Sequence, residues 1–382
     1  MEIGQAHSSG ILSYGNWERL GALKPDLVLV FGGSDHFRRP GFAEALREVF
    51  PGSAMLGCPT AGEIVREGAL EGHVVLTALK VQTPAFRVVA TPLGCMEGSR
   101  ASGEALGSAL GAPLGELPLR GVMLLGQGVR VNGSAIIRGL ADVVGREVPI
   151  CGALAGDGGA FERTFTLHDG QVSDRDIAAL GFYGEGIELR TASAGGWMPF
   201  GPVRRITRAR DNVLHELDGE PALAIYRRYL GEWARELPGS GLLFPISLLE
   251  DGQGETGLTR TLLGIDEASG SLILAGDVTE HCCVRLMHAD TGGLVEGARI
   301  AARSALGEWE SADLALLFSC LGRKLVMGGR VDEEVEAVTD LLKGSPLVSG
   351  FYSYGEIGPH SRFSDSKLHN QTMTVTLLRE RP

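Results

Sequence analysis

The segment Ser319-Cys320-Leu321-Gly322-Arg323 places a thiol, a glycine and a guanidinium at the end of an apolar run, Leu314-Ala315-Leu316-Leu317-Phe318. A guanidinium in that position predicts bidentate capture of a carboxylate. The thiol has two readings, a reactive thiolate favoured by the nearby cation or an inert buried cysteine. A second cluster, Gly350-Phe351-Tyr352-Ser353-Tyr354-Gly355-Glu356, sets two phenols beside a carboxylate, the mixture that small-molecule pockets use. His369-Asn370 adds a neutral donor–acceptor pair just before the last strand. The expected ligand site is therefore Cys320, Gly322, Arg323, Gly350, Tyr352, Tyr354, Gly355, Glu356, His369 and Asn370.

Two earlier segments repeat part of this pattern. Gly57-Cys58-Pro59-Thr60-Ala61-Gly62-Glu63 and Cys151-Gly152-Ala153-Leu154-Ala155-Gly156-Asp157 each end in a glycine followed by an acid, as Gly355-Glu356 does. Glycine lets a backbone approach a ligand closely, and the adjacent carboxylate can receive an ammonium or hydroxyl. The alternative is an acid that only binds amides of its own turn. Gly57, Thr60, Gly62, Glu63, Gly156 and Asp157 are thus a secondary ligand site or structural turns, with Glu63 and Asp157 read as mainly structural and the tyrosine-bearing third copy as the binding one.

Catalytic and cofactor chemistry have less to work with. A Cys320–His369 nucleophile pair requires only that the two meet in space. No GxSxG, GxxxxGK[ST] or HExxH pattern occurs, and Gly32-Gly33-Ser34 lacks the lysine and spacing of a phosphate loop. The chain is expected not to be an enzyme and to need no cofactor or metal. Haem is the alternative, with His281, Cys282, Cys283 and His288 as available axial groups but without a CxxCH attachment motif.

These residues must be carried by repeated units. Leu27–Phe31 reads as a strand covered on both faces; Phe42, Ala45, Leu46, Val49 and Phe50 recur at helical spacing; Ala54-Met55-Leu56 leads into the first Gly-acid turn, and 73–79 follows as a strand. The order returns from Val122-Met123-Leu124-Leu125 through Ile136, Ile137, Leu140, Val143 and Val144 to Asp157, and again from Leu314 through a helix over 331–342 to Glu356 and a last strand over 372–378. A weaker fourth copy is expected within 242–286. The fold class is α/β: repeated strand–helix–strand units forming two packed α/β domains with mixed sheets. The Gly/Pro-punctuated stretch 195–202 reads as the linker, giving domains 1–200 and 201–382.

Composition agrees with a globular chain: 382 residues, 44% hydrophobic and 21% charged. A net charge of −12 repels a phosphate backbone, and the one basic cluster, 204–210, has no interleaved aromatics, so nucleic-acid binding is not expected. Six cysteines without a CxxC pair, no signal peptide and no membrane-length apolar run give a cytoplasmic expectation, with no membrane partner.

Several of these segments, in this order, resemble the FIST sensory proteins. Leu56-Gly57-Cys58-Pro59-Thr60-Ala61-Gly62-Glu63-Ile64 and Ala155-Gly156-Asp157-Gly158 are similar to the FIST N domain. The turn Phe318-Ser319-Cys320-Leu321-Gly322-Arg323, the stretch 350–359 and Leu368-His369-Asn370-Gln371-Thr372 are similar to the FIST C domain. The resemblance implies a FIST N-type half, a FIST C-type half and an intracellular sensor of a small polar metabolite, an amino acid being the usual proposal. It also implies a signalling protein partner acting in trans. Haem-based sensing of nitric oxide and a protein-interaction adaptor without a small ligand are the alternatives found among such relatives.

Overall fold

The computed structural model describes residues 1–9, 15–83, 85–250, 254–359 and 365–381. Three units of the expected kind are present. Unit I opens with strand Leu27–Gly32, passes through helix Phe42–Val49 to strand Ala54–Pro59, then makes the short hairpin Glu63–Val65/Gly68–Leu70 and closes with Val74–Lys80. Unit II runs Leu119–Gly126, helix Gly133–Val144, Ile150–Leu154, hairpin Thr166–His168/Gln171–Ser173 and Asp176–Tyr183. Unit III runs Leu314–Cys320, helices Leu321–Met327 and Asp332–Thr339, Leu347–Ser353, hairpin Gly355–Pro359/Ser366–His369 and Met373–Glu380.

In every unit the first two strands pair in parallel across the helix, and the closing strand lies antiparallel beside the first. Such a connection is what an apolar strand, an amphipathic helix and a second apolar strand produce when both sheet faces are to be covered.

The hairpins do not stay at home. That of unit I pairs with the second strand of unit III (Gly350↔Ile64), that of unit III with the second strand of unit II (Gly355↔Leu154), and that of unit II with the second strand of unit I (Leu167↔Gly57). The exchange is cyclic. Each sheet is completed at its other edge by one more antiparallel strand, Glu2–Ser8, Phe86–Pro92 or Ile187–Ala194. Three six-stranded mixed sheets of one construction result. Their inner faces meet in a common core in which Phe31, Phe318 and Phe351 pack with ring centroids 4.8–6.3 Å apart, and Leu56, Leu125 and Leu180 join them. Strands from both halves of the chain therefore share sheets.

The second strands explain why two glycines placed in the expected site are needed by the fold. A Cβ on Gly57, Gly152 or Gly350 would lie 2.2, 2.0 or 1.9 Å from the carbonyl oxygen of Val30, Leu124 or Leu317, its partner on the opening strand. The close approach recurs at the same register in all three units. Gly350→Ala is therefore expected to destabilise the protein by about 3 kcal/mol, the upper end of ordinary overpacking costs. Urea unfolding checks this, and an unchanged midpoint would contradict it.

The described residues of 198–288 form a separate antiparallel β-insert with one α-helix, Ala222–Leu230. The stretch expected to be a linker instead begins the strand Met198–Arg210, which pairs with Cys283–His288 on one side and Val213–Leu217 on the other. The expected fourth copy is absent from the described residues of 242–286. Ile246–Glu250, Gly254–Arg260, Leu262–Asp266 and Ser271–Leu274 pair only antiparallel, without a crossover helix between them. The basic cluster lies on the long strand, where Arg204 and Arg208 meet Asp218 and Glu216. Among the described residues no helix is long and apolar enough to cross a membrane.

Candidate ligand site

The turns after the three second strands converge. The Ala61 amide donates to the Tyr352 carbonyl (2.8 Å), the Tyr352 amide donates to the Gly62 carbonyl (2.8 Å), and the amides of Gly156 and Gly158 donate to the carbonyls of Pro59 and Thr60. Two of the turns are built alike. In unit I the Thr60 hydroxyl donates to Glu63 Oε1 (2.5 Å) and the His73 amide to Oε2 (2.9 Å). In unit III Ser353 Oγ donates to Glu356 Oε1 (2.7 Å), and the amide and hydroxyl of Thr372 donate to Oε2. Glu63 and Glu356 are both fully buried. Burial pushes each carboxyl up to about 7, against the pull of those same hydrogen bonds. Glu356 is thus a staple like Glu63, and the expectation that it receives a ligand is corrected: its acceptors are consumed by its own turn and the closing strand.

Unit II departs from this pattern. Leu154 stands where Thr60 and Ser353 supply hydroxyls, so Asp157 has no such donor at that position of its own turn. Its carboxylate accepts instead from the amides of Phe161, Glu162 and Arg163 (2.8–2.9 Å) and from the Tyr354 hydroxyl of unit III. Burial works to raise this carboxyl, but the bonds from Tyr354 and the three amides outweigh it and hold Asp157 below the usual range. The Tyr354 oxygen in turn accepts the amide of Gly159 (2.9 Å), and the Tyr354 ring stacks on Phe161 at 4.1 Å and 15°. Phe161 adopts φ +55°, a conformation costly for a bulky side chain.

Phe161 opens onto a chamber of about 350 Å³ between the three-sheet body and the insert. From the body come the loop 128–132, which follows the opening strand of unit II, and Met96; from the insert come Leu242, Leu263 and Ala275 among others. Beneath it lies a recess of about 10 Å³ bordered by Thr261, Cys320, Gly322, Ser353 and Tyr354, and sharing Phe161, Leu242, Leu263 and Ala275 with the chamber. Cys320, Gly322 and Tyr354 of the expected site are brought together here. The buried hydroxyl of Thr261 and the Gln371 Oε1 have no partner among the described residues. The Gln371 amide packs on Gly322 and donates to the Leu242 carbonyl (2.9 Å), fixing one wall of the chamber.

Arg323 is not available to a ligand, which corrects the expectation of a carboxylate clamp. It is 0% exposed; its Nε and Nη2 donate to Glu334 Oε2 (3.0 and 2.8 Å), Nη2 also to the Leu294 carbonyl (2.8 Å) and Nη1 to that of Gly195. Gly195 and Leu294 flank the chain where it leaves the body for the insert and where it returns. Arg323 therefore clamps both crossings.

The family comparison agrees with this architecture. A FIST N domain model matches residues 26–220, and a FIST C domain model matches 222–359. The chain belongs to the FIST family. FIST domains are associated with small-ligand-binding sensory function, a role that is sensory rather than catalytic. An uncharacterized protein of Mycobacterium tuberculosis is 32% identical over 215 residues, 53% of this chain and 55% of its own. One of Mycobacterium bovis is 30% identical over a stretch of the same length and coverage, and one of Methanocaldococcus jannaschii 34% identical over 98 residues, 25% of this chain and 19% of its own. The chain spans about half the length of the mycobacterial relatives it matches.

Within this FIST fold the remaining site residues lie apart from the chamber. Tyr352 is buried under Lys324, whose ammonium lies 5.2 Å from its ring, and next to Glu334. His369 Nε2 donates to the Gly358 carbonyl (2.8 Å), so that nitrogen carries the proton. Asn370 is buried, with its side-chain amide near Gly355 and unpartnered among the described residues. Burial, and then the Glu356 carboxyl, push the Cys320 thiol far up, so it stays protonated, opposite to what a nucleophile needs. Gly62, Thr60 and Gly156 serve the converging turns. Of the haem candidates, Cys283 and His288 stand five positions apart on one strand, hence on opposite faces, and the His288 ring packs against Phe200. Among the described residues no group of three or more His, Cys, Asp and Glu is placed to hold a metal.

The chamber residues Arg130, Phe161, Leu242, Leu263 and Ala275 were not anticipated. One signal pointed to the first: Val129-Arg130-Val131-Asn132 follows a buried strand and precedes a helix, where α/β crevices form.

Proposed function

We propose that this FIST protein is a cytoplasmic small-ligand sensor, that its ligand is a metabolite of roughly amino-acid size held in the chamber, and that a separate signalling protein reads the bound state. The chamber itself carries the proposal. Its volume of about 350 Å³ falls within the range of small-molecule sites, and its walls are mostly apolar with a few polar groups, the usual composition. Three of the large hydrophobic side chains left exposed, Met96 (39%), Phe161 (37%) and Leu263 (45%), sit on its lining. Exposed apolar surface gathered at a concavity supports a binding role. Six free cysteines agree with a reducing compartment. Because the chamber lies between body and insert, a ligand that prefers one placement of the insert shifts that equilibrium, which is what a partner needs to read.

A thermal-shift screen of small metabolites tests this. At a hundred times its Kd a ligand adds about 2.7 kcal/mol of stability. The stabilisation is expected to vanish in Ala275→Trp, which fills the chamber, and to weaken in Leu263→Trp at its rim, both variants retaining a cooperative transition. A hit that stabilises all three proteins equally would place the site elsewhere. The reading needs no cofactor, and the chamber lining has no histidine among the described residues. Protein expressed with haem supplied is expected to show no Soret band; a band would move the site to the 281–288 stretch.

A further inference from the structure

We infer that the chamber selects a small amphipathic anion without an ammonium group: an apolar body carrying a carboxylate, sulfonate or similar head. The inference rests on the chamber being the ligand site and specifies its chemistry.

Arg130 is the only charged side chain among the described residues that line the chamber. No carboxylate pairs with it among the described residues, whereas Arg100, Arg138 and Arg163 each have one. Its backbone sits at φ +57°, so Arg130 and Phe161 are both held in the left-handed region on the same cavity wall. Arg130 also borders a neighbouring, more polar trough with Arg175, the ion pair Arg163–Asp174 (2.6 Å) and Glu162. The chamber thus offers an apolar volume whose single formal charge is positive and stands where it opens toward water.

An anionic head meets Arg130 in bidentate fashion while the apolar body enters between Phe161, Leu263 and Ala275. An ammonium on the same body finds no carboxylate in the chamber lining; of the acids bonded to lining residues, Asp157 is already saturated by Tyr354 and three amides, and Asp277 is held by Asn132 and Arg138. Taking an unpaired ammonium out of water is unfavourable. The chamber therefore discriminates between an acid and the amino acid built on the same skeleton.

The test uses fluorescent probes that share one ring system, 8-anilinonaphthalene-1-sulfonate and the neutral N-phenyl-1-naphthylamine, with full-length protein. The sulfonate is expected to bind at least tenfold more tightly than the neutral probe. Arg130→Gln is expected to remove that tenfold and leave the neutral probe unchanged. 3-Phenylpropionate is expected to displace the sulfonate at concentrations at least tenfold lower than phenylalanine requires. Equal affinity for the two probes, indifference to Arg130→Gln, or equal displacement by the acid and the amino acid overturns the anion inference while the chamber stands as a site. Binding of neither probe, or binding unaffected by Ala275→Trp, overturns the chamber itself.

Discussion

Arg323→Ala is expected to destabilise the protein by about 3–5 kcal/mol, the cost of leaving one member of a buried ion pair without the other. The loss follows from what the guanidinium holds. Glu334 is 0% exposed and would be left with the Ser319 hydroxyl (2.8 Å) and the neighbouring Tyr352 phenol, neither of which carries a positive charge, while the Gly195 and Leu294 carbonyls lose the guanidinium donor. A double variant, Arg323→Met with Glu334→Leu, removes both charges and is expected to recover most of that stability, since replacing a whole buried pair by apolar groups is often neutral. The same clamp gives a second signature. With both insert crossings released, ligand stabilisation should fall in the double variant even where its fold is restored. Chemical denaturation and thermal shift on the two variants decide the matter; a stable Arg323→Ala protein that loses only ligand affinity would return Arg323 to the binding site.

The second large effect is on pH dependence. Glu63 and Glu356 titrate at about 7 in the folded protein, against about 4.3 in an unfolded chain. Between those values the folded state holds two protons that the unfolded state has released. Stability is therefore full below about 4.3 and declines as pH rises through 7, by roughly 3–4 kcal/mol per group. Asp157 acts in the opposite sense: its lowered pKa stabilises the fold above the usual carboxylate range, and that contribution is lost as pH falls through its folded value. The two effects occupy separate windows. Urea unfolding between pH 5 and 7.5 should show the midpoint falling with pH, and Glu63→Gln together with Glu356→Gln should flatten the slope. A midpoint that rises over this range would contradict the account of the staples.

The three strand–helix–strand units were legible because each has a continuous apolar strand, a 3.6-residue helix pattern and a Gly-acid turn in that order. The exchange of hairpins was not. Glu63–Val65 and Gly355–Pro359 carry no mark of which second strand they will join, because short strand pairing is decided by what lies beside them in space. The segment 242–249 misled for a related reason: an apolar run reads alike in a parallel and an antiparallel sheet. Arg323 was assigned to the wrong partner although a signal was present. Glu334 falls with Ala337 and Val338 on the apolar stripe of its helix, and an acid on a buried stripe demands a counter-charge. Gly57 and Gly350 were read as places where a backbone approaches a ligand or makes a turn, whereas the close approach in the fold is strand against strand, as their equivalence with Gly152 shows.

A small molecule is expected to enter between the three-sheet body and the insert. Methyl-labelled NMR spectra, recorded with and without a compound that raises the melting temperature, test it most directly. Shifts are expected to concentrate on the methyl groups of Val129, Val131, Leu242, Leu263 and Ala275, with the inner-core methyls of Leu29 and Leu316 unmoved. Shifts centred on Val284 and Leu286 of the 281–288 stretch instead, or none at the chamber, would contradict it.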